Sequence, residues 1–211
     1  MAEAAHPSIA DEHHYTTTGL NHRKLLMWAF LGSDCMFFGA LISTVLVYRG
    51  KSLSGPTEEL LNIPITSIST FVLLMSSVAM VLGLAAIQRG DLKGLRTWLT
   101  ATALLGSVFV GFQMFEFWEF AKEGLTPRTN LFGSSFLTLT GFHGAHVTIG
   151  VIWLWSIVFS SFKGKVRQDT SLDVEIAGLY WHFVDIVWII IFGVVYLIGA
   201  QGFQSVEHAA G

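Results

Sequence analysis

The chain has 211 residues, of which 52% are hydrophobic and only 13% charged, where a soluble domain carries roughly 25%. That balance, with a mean hydropathy of +0.58, leaves too little polar surface to face water and points to lipid. A formal net charge of −3 provides no basic surplus for nucleic acid, and the single cysteine, Cys35, excludes an internal disulfide, c-type haem attachment, a zinc ribbon and a paired-cysteine copper centre.

Residues 1–24 form a polar segment. Glu3, Asp11 and Glu12 are acidic and no apolar core precedes residue 25, so the segment does not read as a signal peptide. Its adjacent His13 and His14 read as part of a surface linker. Residues 25–200 then form a transmembrane domain. A bilayer-crossing helix needs roughly 20 mainly apolar residues, and five stretches qualify: about 25–48, 65–88, 97–121, 131–162 and 176–200. They are too long and too evenly apolar for the alternating strands of a membrane β-barrel. Helices also satisfy their own backbone hydrogen bonds in lipid. Residues 201–211 are a short tail. The expected fold is an all-α membrane protein, a bundle of five transmembrane helices.

The cations lie in the connections. Arg23, Lys24, Arg89, Lys93, Arg96, Lys163, Lys165 and Arg167 collect on one side, against Arg49, Lys51, Lys122 and Arg128 on the other. Eight against four places the N-terminus in the cytoplasm and the C-terminus outside by the positive-inside rule. Trp98 and Trp118 lie near span ends, as interfacial aromatic residues do, whereas Trp153, Trp155 and Trp188 lie deeper.

Ionisable residues inside a span are costly, roughly 2.5–3.5 kcal/mol each on insertion scales, and need a partner or a cavity. Asp34, His143, His146, His182 and Asp185 all fall about 10–20 Å deep at ~1.5 Å per residue. His143 and His146 are three apart and share a helix face, as do His182 and Asp185; Glu116 and Glu119 share one nearer the outer surface. These residues allow a metal or haem site, a proton or substrate path, or hydrogen bonds that join helices. No Glu-x-x-His pair occurs on a span, and the residues by themselves favour the last reading. Gly141, Gly144 and Ala145 around the histidines suit close helix approach.

The run Thr140-Gly141-Phe142-His143-Gly144-Ala145-His146-Val147 resembles the fourth-span signature of subunit III of the haem–copper respiratory oxidases. Tyr180-Trp181-His182-Phe183-Val184-Asp185-Ile186-Val187-Trp188 resembles that family's last-helix signature. Gln113 to Glu119, ending Glu-Phe-Trp-Glu, resembles its acidic helix end. The resemblance runs from about His22 to Ala200 and is to the five-helix bacterial form.

What it implies is a supporting subunit in the bacterial cytoplasmic (inner) membrane, part of a proton-pumping oxidase but not itself catalytic. The resemblance implies no catalytic, cofactor-binding or metal-binding residue in this chain. Haem and copper belong to partner subunits: subunit I, the main contact, with subunit II, a small subunit IV and a respiratory supercomplex as further associations. Phospholipids are held in a cleft, and proton uptake into subunit I is sustained. Asp34 stands at the family's intramembrane carboxylate position; Glu116, Glu119, His143, His146, His182 and Asp185 are read as structural and lipid-cleft groups. Asp169, Asp173 and Glu175 on the cytoplasmic side are candidates for a proton-collecting antenna. Glu119 and the Gly-Phe-His-Gly stretch resemble the cytochrome c branch and Ser33-Asp34-Cys35 the quinol-oxidase branch, with cytochrome c preferred. A nitric-oxide-reductase accessory protein and an autonomous proton-coupled transporter are the remaining alternatives.

Overall fold

The computed structural model describes residues 21–48, 63–166 and 171–197. Five helices account for almost all of them: α1 (His22–Tyr48), α2 (Ile63–Gln88), α3 (Leu92–Lys122), α4 (Leu131–Phe162) and α5 (Ser171–Ile191), the last continuing into a π-helical turn, Phe192–Leu197. All five are long and apolar enough to cross a membrane. Among the described residues there is no strand. The N-terminal segment 1–24 lies outside the described residues as far as residue 20, as do Asp169, Arg49, Lys51, Arg167 and the tail from residue 198.

Local chemistry sets the helix ends. The α2–α3 turn uses Gly90 at φ 79°, a left-handed backbone that glycine adopts without a Cβ clash. Asp91 then caps α3, its Oδ1 accepting the N–H groups of Lys93 (3.1 Å) and Gly94 (2.9 Å). Gly124, at φ 83°, follows the end of α3, and Asn130 caps α4 by accepting the Gly133 N–H at 2.6 Å. Arg96, near the start of α3, donates to the hydroxyl (3.1 Å) and carbonyl (2.8 Å) of Ser161 near the end of α4.

Helices α2 and α3 make the most extensive pairing, and α5 packs against α1, α2 and α4. Twelve of the 21 residues of α5 are buried. Trp181 shows how. Its indole lies against Gly106 of α3 and Gly150 of α4, where an added Cβ would come within 2.5 Å and 2.9 Å of ring carbons, and its Nε1–H donates to Ser76 of α2 at 3.0 Å. One side chain therefore touches three neighbouring helices. Seven residues on, Trp188 repeats the arrangement: Nε1–H donates to Thr70 of α2 at 2.9 Å, while the ring stacks on His143 of α4 and meets Phe109 of α3 edge-on. Glu116 of α3 and Thr66 of α2 are joined by a hydrogen bond further along.

Helix α1 lies at the edge. Only Leu31, Phe38 and Val45 are buried, spaced seven apart, so it touches the bundle along a single seam against α4 and α5.

Candidate functional site

The intramembrane polar residues fall into separate groups. At the α1–α4 seam, His146 donates its Nδ1–H to the Phe142 carbonyl one turn back at 2.7 Å. This leaves Nε2 facing Asp34 Oδ2 across the helix boundary at 3.5 Å. The pair is half-open, with side-chain exposures of 14% for Asp34 and 18% for His146. Tyr180 of α5 closes it from behind, donating to the His146 carbonyl at 2.9 Å.

The second group lies between α2 and α5. Ser77 Oγ and His182 Nδ1 are 2.5 Å apart. Ser77 is also the polar neighbour of Asp185. Asp185 is buried, and neither of its carboxyl oxygens has a hydrogen-bond partner among the described residues. His143 stands apart from both. It is fully buried, and its Nε2–H donates to the carbonyl of Val184 on α5 at 3.2 Å while Trp188 stacks on the ring. The sequence suggests a carboxylate or hydroxyl as partner for both histidines of α4. His146 faces one; His143 bonds backbone instead, because the α5 surface it meets presents aromatic rings and a carbonyl.

Glu116 is buried on Thr66, and Glu119, one turn on, is half-buried beside it. At the end of the bundle where α1 and α5 begin, Asp173 pairs with Arg23 (2.7 Å) and Glu175 with Lys24 (2.5 Å). Next to these pairs lies a pocket of about 360 Å³, where Arg23, its partner Asp173 and Lys165 stand over an apolar floor that includes Trp153, Ile157 and Val174. Among the described residues no three His, Cys, Asp or Glu side chains gather in a set that could hold a metal ion.

Gln113 stands in the sequence only as the first residue of the run ending at Glu119, with no role of its own. It is buried in α3, donates to the Thr140 carbonyl of α4 at 2.8 Å, and lies so close to Gly144 that an added Cβ there would meet the amide at 2.9–3.0 Å. A lone glutamine within a span was the available signal, and Gly144 on the opposite helix was its complement.

Five apolar helices, tied together at the centre by Trp181 and Trp188 and by further interhelical hydrogen bonds, define a polytopic helical membrane protein with an internally bonded core. The family model for cytochrome c oxidase subunit III matches residues 11–200, and the chain belongs to that family. It is 37% identical to cytochrome c oxidase subunit 3 of Bacillus sp. (strain PS3) over 194 residues, 92% of this chain and 93% of the relative. It is 38% identical to quinol oxidase subunit 3 of Bacillus subtilis (strain 168) over 202 residues, 95% of this chain and 98% of the relative. A probable quinol oxidase subunit 3 of Staphylococcus saprophyticus is 38% identical over 181 residues, covering 85% of this chain and 90% of the relative. The protein is thus a subunit III of the respiratory haem–copper oxidase family, consistent with both cytochrome c and quinol oxidases.

Proposed function

We propose that this chain is a non-catalytic subunit that packs on the haem-bearing subunit I of a proton-pumping terminal oxidase in a bacterial cytoplasmic membrane, with its N-terminus in the cytoplasm. The observation that carries a supporting role is where the buried polar chemistry goes. Trp181, Trp188, Tyr180, Gln113 and Glu116 each bond a group on another helix, so these side chains are committed to holding the bundle together. The pocket lined by Arg23, Asp173 and Lys165 is basic on balance, and Lys165, which the Arg23–Asp173 pair leaves over, suits the phosphate of a phospholipid whose acyl chains lie along the apolar floor and the α1 surface. Asp173 and Glu175, with Asp169, serve as the cytoplasmic carboxylates that pass protons towards subunit I.

The direct test is mild-detergent purification through a tag on this chain, followed by a visible spectrum. A larger haem-bearing protein should accompany it, and the separated chain should be colourless. Recovery of the chain alone, with transport activity in liposomes, would favour the autonomous transporter. For the electron donor we retain cytochrome c, with quinol as the second reading; Ser33-Asp34-Cys35 and the quinol-oxidase relatives favour the latter. Oxidation of reduced cytochrome c against oxidation of a quinol by the purified complex separates them.

A further inference from the structure

A second cavity, separate from the Asp34–His146 seam and from the basic pocket, runs between α1 and α5 with a volume of about 710 Å³. Its walls are apolar, with Leu31 and Phe38 from α1 facing Phe183 and Ile186 from α5. The α1 wall is shallow at Gly32 and Gly39, where an added Cβ would meet nothing within 4 Å. The polar groups lining it are the Trp28 indole, the Cys35 thiol, Ser43 and His182; Ser43 returns its hydroxyl to the Gly39 carbonyl at 2.8 Å, and His182 is the group held in place from a neighbouring helix. Ser77 holds the His182 ring by Nδ1, so its orientation is fixed and Nε2 is the nitrogen left for a ligand.

Depth decides what that ligand is. His182 lies seven residues beyond Glu175, the last charged side chain at the start of α5, about 10 Å into a hydrocarbon layer roughly 30 Å thick at ~1.5 Å per residue. Phospholipid phosphates and glycerols lie at the layer's edges and do not reach it. The backbone of a neighbouring helix is already satisfied and offers no donor or acceptor. The molecule that fits is flat and apolar, carries hydroxyl or carbonyl oxygens on a ring, and has a prenyl tail that keeps the ring inside the hydrocarbon layer. The cavity volume falls within the range of small-molecule sites, roughly 300–1,000 Å³, and such sites combine apolar walls with a few placed polar groups.

We propose that the α1–α5 groove is a binding site for an isoprenoid quinol or quinone, with a ring oxygen bonded to Nε2 of His182. Ser77 equips the site for both forms. When its hydroxyl accepts from Nδ1–H, Nε2 accepts a quinol O–H; when it donates to Nδ1, Nε2–H donates to a quinone carbonyl. The site binds and exchanges; no electron transfer is assigned to it. The proposal does not depend on which donor feeds the oxidase, because the label is read on this chain alone.

The experiment uses the intact oxidase complex, stripped of native quinone and placed in phosphatidylcholine nanodiscs. A photoreactive quinone with a short prenyl tail is titrated in, and adducts on this chain are mapped by mass spectrometry. Labelling should fall on α1 and α5 and be competed by the unlabelled quinone, but not by a prenyl hydrocarbon of the same tail length without ring oxygens. His182→Leu should weaken labelling at least tenfold. Gly39→Leu, which fills the groove from α1 into open space without touching the histidine, should do the same. Three results would each overturn the proposal: equal competition by the hydrocarbon, which would make this a groove for acyl chains; no label on α1 or α5, as expected if a helix of another subunit fills it; and labelling that survives both variants.

Discussion

Helices α1 and α5 have similar lengths and similar hydropathy, yet they live in different surroundings. In the most apolar stretch of each, 17% of residues are buried for α1 and 56% for the span that begins at Ser171. The difference lies in what each sequence offers its neighbours. Along α5, Tyr180, Trp181 and Trp188 reach across to other helices and each ends on a hydrogen-bond acceptor. Along α1, one apolar residue every seven is fully buried, Met27, Leu41 and Ile42 pack beside that seam half-buried, and much of the remaining surface is Gly32, Ser33, Ala40 and exposed large side chains such as Met36 at 78%. Hydrophobicity puts both helices in the membrane but does not separate centre from edge, because lipid tails are as apolar as leucine. Packing and directed polar contacts make that separation.

The sharpest way to break the comparison is at its centre. Trp181→Ala removes an indole that fills the space between Gly106 and Gly150 and also its bond to Ser76. Large-to-small substitution of a buried aromatic residue costs about 3–5 kcal/mol. We expect little assembled subunit III in the purified complex and a steep fall in the melting temperature of what remains, measured by thermal scanning in detergent. Normal yield and melting would mean that the core does not depend on this contact.

A paired glycine substitution comes next in size. Gly150→Ala adds a methyl where its Cβ would meet Trp181 ring carbons at 2.9–3.0 Å and Tyr180 at 3.1 Å, and overpacking of this kind costs about 1–3 kcal/mol. Gly32→Ala adds the same methyl on α1 where nothing lies within 4 Å. The first should lower the melting temperature of the complex and the second should leave it unchanged. Equal losses would show that the open face of α1 is closely covered in the assembled enzyme.

How far the sequence reveals this contrast depends on the residue. The five apolar runs mark the helices because nothing else in the chain is long and apolar enough, and the charged connections bound them. The two histidines of α4 share a face as their spacing of three suggests. Three residues still span 300° of helix, so His143 points to α5 and His146 to α1. The acceptors for the tryptophans are harder to see. A serine or threonine in a membrane helix ordinarily bonds its own preceding turn, as Ser43, Thr44 and Ser67 do. Ser76 and Thr70 do this too, donating to the Leu73 and Thr66 carbonyls, and their remaining lone pairs accept the indole N–H groups. Nothing in the sequence distinguishes a serine with a tryptophan above it from one that faces lipid. The ion pairs Arg23–Asp173 and Lys24–Glu175 join residues about 150 positions apart, so only the fold that brings the starts of α1 and α5 together reveals them.

The Asp34–His146 pair tests whether the edge of the bundle carries function without carrying stability. Asp34→Asn keeps the shape and retains an N–H that donates to Nε2, so the seam should hold. An interhelical hydrogen bond in a membrane averages about 0.6 kcal/mol, and assembly and melting should shift by no more than that. We expect an unchanged initial rate of oxygen reduction and a shorter lifetime under continuous turnover, with reduced lipid retention. Initial rate and inactivation rate, measured separately on the same preparation, check this. Loss of most of the initial rate in a fully assembled complex would mean that Asp34 carries protons and that the seam is a path.

The smallest effect belongs to the charges where α1 and α5 begin. Arg23–Asp173 is exposed, with side chains 64% and 48% accessible, and Lys24–Glu175 is half-exposed at 28% and 32%. Pairs of this kind contribute about 0–1 kcal/mol each and weaken further in salt. Removing the carboxylates at Asp169, Asp173 and Glu175 together as Asn, Asn and Gln should therefore barely move the melting temperature. If these groups collect protons for subunit I, their loss acts where bulk protons are scarce: steady-state turnover should fall at alkaline pH and stay nearly unchanged at acidic pH. An equal loss at both pH values, accompanied by less subunit III in the complex, would instead mean that the ion pairs anchor α1 to α5. High salt distinguishes the two further, because it should reproduce an anchoring defect in the unmodified enzyme, whereas loss of proton collection should keep its dependence on pH.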